Sequence, residues 1–82
     1  MMRSETILPL TLDEHRELAA ELRRTRSRMR ELCNVVVGIY GPANPAAFTF
    51  LKAAESMDRL CNDMQAQAAR DCPGSAIPEL YL

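Results

Sequence analysis

Eighty-two residues make one domain and leave room for only a small core, so a chain of this size leans on a staple or a partner for part of its stability. Hydrophobic residues at 48% with charged residues at 26% describe a folded chain rather than a disordered one. A net charge of −1 supplies no global attraction to nucleic acid or to an anionic membrane.

Residues 1–10 read as an extended arm. A single Arg and an acid precede a very short apolar run, which is not a secretory signal. Apolar runs such as Val35–Val37 fall far short of the ~20 residues that cross a bilayer, so a cytoplasmic protein without membrane contact is expected. Cys33, Cys61 and Cys72 are odd in number and contain no CxxC pair; in a reducing compartment they are free thiols.

Thr11 and Glu14 form a T-x-x-E capping box, which sets a helix start directly after Pro9 and Leu10. From there His15, Leu18, Leu22, Thr25, Met29, Leu32, Val36 and Ile39 recur at alternating steps of three and four. That is the spacing of a stripe facing another helix, and it predicts a first helix over 12–39. Gly38 or Gly41 can supply its C-cap, and Gly41–Pro42 ends it.

Asn44–Pro45 marks the second start, with Asn as N-cap and Pro at the first helical position, and Cys72–Pro73–Gly74 the stop. The predicted helix over 45–71 carries the seam Ala47, Phe50, Ala54, Met57, Cys61, Met64, Ala68. A flanking row of Ala46, Ala53 and Leu60 widens that stripe beyond a single neighbour.

A short turn between two such helices makes an all-α, antiparallel two-helix hairpin over 11–72, followed by a tail over 73–82. The register that sets large residues against small pairs Leu18 with Ala68, Leu22 with Met64, Leu32 with Ala54 and Ile39 with Ala47. The same register brings opposite charges near one another: Glu14 with Arg70, Arg23 with Asp63, Arg26 with Asp58, Arg30 with Glu55 and Glu31 with Lys52. One hairpin leaves Leu12, Ala19, Cys33, Val37, Ala53 and Leu60 without cover, so a homodimer forming a four-helix bundle is expected. In shape such a dimer resembles the small RNA-binding hairpin dimers that control plasmid copy number, a resemblance of architecture that carries no residue roles.

Residues 23–30 hold five arginines. At ~100° per residue Arg23, Arg26 and Arg30 flank the seam, whereas Arg24 and Arg28 point outward as contacts for nucleic acid or an acidic partner. No aromatic is interleaved to stack a base. His15, the single histidine, lies near where Asp71 and Cys72 arrive and reads as a boundary histidine packed beside an acid. Two ligands of unlike type do not make a metal site, and no Gly-rich elbow or second base accompanies them.

In the tail Ile77, Leu80, Tyr81 and Leu82 leave from the open end of the hairpin. They either cover its core or dock on another protein. The sequence thus implies a small protein-interaction or adaptor module with no catalytic, cofactor or metal residues. The alternative is an RNA- or DNA-binding regulator that uses residues 23–30.

Overall fold

A computed structural model describes residues 8–74 and 79–82; the expectations for residues 1–7 and 75–78, Ile77 among them, lie outside that range. Two helices, α1 (Leu12–Tyr40) and α2 (Pro45–Asp71), pack against each other as a hairpin. The described residues contain no strand and no helix long and apolar enough to cross a membrane.

The caps form as their sequences dictate. Glu14 N–H donates to the Thr11 hydroxyl at 3.1 Å, and Thr11 N–H donates to the Glu14 carboxylate at 2.9 Å. At the turn Gly41, not Gly38, ends α1: its φ of +85° is open to glycine, and its N–H donates to the Val37 carbonyl at 2.8 Å. Asn44 Oδ1 then accepts from the N–H groups of Ala46 and Ala47 at 2.9 and 3.1 Å, with Pro45 in the first turn where a missing donor costs nothing.

The seam of α2 matches its sequence pattern. Ala47, Cys61 and Ala68 are buried, and Phe50, Ala54, Met57 and Met64 are half-buried. The seam of α1 is rotated from expectation. His15, Leu22, Met29 and Val36 face inward, but the residues between them that do so are Ala19, Arg26 and Cys33, while Leu18, Thr25, Leu32 and Ile39 lie on the exposed flank.

The reason is steric. Ala19, Cys33, Ala47, Cys61 and Ala68 are the small residues buried most completely in the hairpin, and a leucine in their place would need more room between the helices. Leu18, Leu32 and Ile39 therefore do not take the inward positions that the large-against-small register gives them.

The charge alignment changes with it. Arg30 reaches Asp58 at 2.8 Å rather than Glu55, and Arg26 turns to the tail. Glu14 serves the cap, Arg70 donates to Gln67, Arg28 to Glu31, and Lys52 lies 3.7 Å from Glu55 on its own helix.

Candidate functional site

The most organised group of side chains sits at the open end, where the start of α1 meets the end of α2. His15 is the one fully buried imidazole, and its two nitrogens point in opposite directions. Nε2 lies 2.8 Å from Asp71 Oδ2, and Nδ1 lies 2.8 Å from the Tyr81 hydroxyl.

An ionised carboxylate only accepts, so Nε2 carries the proton toward Asp71. In the neutral tautomer Nδ1 then accepts from the Tyr81 O–H, leaving both ring nitrogens and the phenol satisfied. Gln67 Nε2 donates to Asp71 Oδ1 at 2.7 Å. No buried side-chain N or O among the described residues lacks a partner.

The His15 hydrogen bond, reinforced by those from Gln67 and the Leu10 backbone, holds the Asp71 carboxyl below its ordinary value of 3.8. Burial raises the Tyr81 phenol above its ordinary value of 10.0, and the negative charge of Asp71 pushes in the same direction. The network therefore joins the Leu10 backbone ahead of the α1 cap, both helices and the tail.

Tyr81 is held by more than its hydroxyl. Its ring meets the imidazole edge to face, with centroids 5.9 Å apart at 87°. It completes a cluster with Ala19, Cys61 and Ala68, flanked by Leu22, Met64 and Leu80. The backbone on either side is gripped by two side chains. Gln65 Oε1 accepts from the N–H groups of Leu80 and Tyr81 at 2.9 and 3.1 Å, and Arg26 donates to the backbone oxygens of Tyr81 and Leu82 at 3.3 and 2.7 Å.

Of the tail residues singled out from the sequence, Tyr81 is thus turned inward, Leu80 is half-buried and Leu82 is exposed. Arg24 and Arg28 both point outward, and each is engaged on its own helix: Arg24 with Glu21 at 2.6 Å, Arg28 with Glu31 at 3.1 Å. Cys33 and Cys61 are buried and Cys72 is half-buried, all three as free thiols.

A hydroxyl, an imidazole and a carboxylate in line share the order of a nucleophilic relay. Here the hydroxyl is fully buried and its acidity is weakened, and the row ties the tail to both helices. The described residues contain no group of three or more His, Cys, Asp or Glu side chains placed to hold a metal ion.

A second surface feature is an apolar one that includes none of Arg26, Gln65 and the tail. Leu18, Leu32 and Ile39 of α1 and Ala46, Ala53 and Leu60 of α2 are all exposed. Met29, Thr49 and Phe50 join Ala46 and Ala53 in lining a shallow apolar groove. No protein-family model matches the chain, and no curated protein or solved structure is significantly similar to it.

Proposed function

We propose that the chain is a helical interaction module without catalytic activity, and that its working surface is the apolar side formed by Leu18, Leu32, Ile39, Ala46, Ala53 and Leu60. The observation that carries this reading is the sorting of side chains across α1. Leu22, Met29 and Val36 are only half-buried against α2 with Ala19 and Cys33, and Leu18, Leu32 and Ile39, which could also fill a core, are left exposed, with the groove at Met29 and Phe50 open as well. Such a set is what a helix presents to a third and fourth helix. A second copy is the simplest occupant, because the same set on each hairpin is self-complementary about a two-fold axis and gives a four-helix bundle.

Light scattering coupled to size-exclusion chromatography under reducing conditions tests it. The expected mass is twice that of the chain, falling to that of one chain when Leu32 and Ile39 are both changed to Glu. A monomeric native chain across the micromolar range overturns the self-associating form.

The alternative, an RNA- or DNA-binding regulator using residues 23–30, is supported by the shallow groove that Arg23, Arg24, Arg26 and Arg28 line. The bonds from Arg24 to Glu21 and from Arg28 to Glu31 weigh against it, since each neutralises a charge that a phosphate would need. That reading requires a salt-sensitive mobility shift that disappears when Arg24 and Arg28 are changed to Glu.

A further inference from the structure

We infer that the cleft at the open end of the hairpin is a peptide-binding site for an extended segment carrying a tyrosine between leucines, with the chain's own Leu80–Tyr81–Leu82 as its resident occupant. This goes beyond the self-association proposed above and uses a different set of residues.

The contacts divide as they do in peptide recognition, where main-chain hydrogen bonds fix an extended strand and a pocket selects one side chain. Gln65 accepts from two successive N–H groups of the segment, and Arg26 donates to two successive backbone oxygens. None of these four bonds depends on which side chains the segment carries.

Selection comes from the pocket. Ala19, Cys61 and Ala68 supply walls small enough to admit an aromatic ring, and His15, fully buried and fixed by Asp71, offers Nδ1 to a hydroxyl at the far end. A phenylalanine fills the same space but leaves Nδ1 without its donor, and an alanine leaves the pocket empty. The seat is therefore shaped for tyrosine and indifferent to the covalent origin of the segment that delivers it. The resident tail acts as an intramolecular competitor, and a segment supplied in trans binds to the extent that the tail lifts off.

The test uses the full chain with Tyr81→Ala, which keeps the tail and removes its anchor, and the peptide acetyl-Glu-Leu-Tyr-Leu as probe. The readout is the thermal midpoint by circular dichroism. A ligand that binds the folded hairpin raises the midpoint whether the unliganded variant is fully or partly folded. The midpoint is expected to rise with peptide and saturate, and acetyl-Glu-Leu-Phe-Leu should need about five- to tenfold more peptide for the same shift. The native chain should show a far smaller shift at equal peptide, because its own Tyr81 occupies the pocket. No shift at about 1 mM peptide, the weak limit of specific binding, overturns the proposal. So does an equal shift with acetyl-Glu-Leu-Ala-Leu.

Discussion

At the open end of the hairpin Tyr81 is fully buried between α1 and α2, whereas at the turn end Tyr40 is 63% exposed beside Ile39 at 68%. The same two helices make both ends, and the difference is a third piece of chain. Two helices in contact bury one stripe each, and here the apolar helix residues that are fully buried are all small: Ala19, Cys33, Ala47, Cys61 and Ala68. Small residues allow a close approach but remove little apolar area from water, so a two-helix core needs large side chains from elsewhere. At the open end the tail supplies one, with a hydrogen-bond network to fix it. At the turn end nothing among the described residues does, and Val35, Ile39, Tyr40 and Phe48 stay exposed.

The widest gap between the two ends should appear on truncating the two tyrosines. Tyr81→Ala empties the pocket and removes the donor to His15, and a loss of about 3 kcal/mol or more is expected, the range for an aromatic removed from a core. For a domain of this size that lowers the thermal midpoint by more than about 10 °C. Tyr40→Ala should stay within about 0.5 kcal/mol of the native chain. Equal losses at the two sites, measured by thermal or urea unfolding, would mean that the turn end is covered in solution.

A smaller contrast lies within the turn end, at two glycines. Both have open space where a Cβ would stand, so backbone conformation alone separates them. Gly41→Ala forces a side chain onto a φ of +85° and should cost about 1–3 kcal/mol. Gly38→Ala places a better helix former within α1 and should stabilise by up to about 1 kcal/mol. Urea midpoints that move in opposite directions confirm the assignment of the cap to Gly41.

The degree to which the sequence anticipates this structure follows from the same physics. Caps depend on local chemistry, so Thr11, Glu14, Asn44 and Pro45 are legible without tertiary knowledge. On α2 the small and flexible seam residues are also the periodic ones, and pattern and packing agree. On α1 they disagree: Leu18, Leu32 and Ile39 make the stronger hydrophobic pattern, but Ala19 and Cys33, one position along, are the residues buried.

Arg26 escapes for a related reason. A charged residue on a seam looks like a flank until the tail backbone oxygens it serves are known. Tyr81 follows a proline-broken stretch with no periodicity to place it. The signal that could have found it is His15: an imidazole on an apolar seam with one nitrogen met by Asp71 still needs a partner for the other.

The open end should also respond to pH at both extremes. Asp71 is held below its ordinary value of 3.8, so its contribution is present above about pH 4 and is lost as pH falls through the lowered value. Tyr81 is raised above 10.0, so its contribution is complete below about pH 10 and is lost as pH climbs toward the raised value. In a Tyr40→Phe chain the remaining phenolate absorbance belongs to Tyr81, and its midpoint should lie above 10.0 and coincide with a fall in stability. Asp71→Asn should remove part of the acid-side loss, read as a flatter thermal midpoint between pH 5 and 2.

The smallest expected effect tests whether the middle of the hairpin belongs with the covered end or the open one. Arg30 and Asp58 make a cross-helix ion pair, at 2.8 Å with side chains 57% and 43% exposed. At that exposure solvent screens the attraction and ordering two side chains offsets much of it. A double-mutant cycle with Arg30→Ala and Asp58→Ala should therefore give a coupling below about 1 kcal/mol that fades with added salt. Arg26, one turn away, is half-buried under the tail, so the boundary between shielded and screened charge falls between these two arginines. A coupling well above 1 kcal/mol that resists salt would place Arg30 and Asp58 under cover as well. It would then be the side of the hairpin bearing the tail, rather than the apolar row at Leu32 and Ile39, that meets a partner.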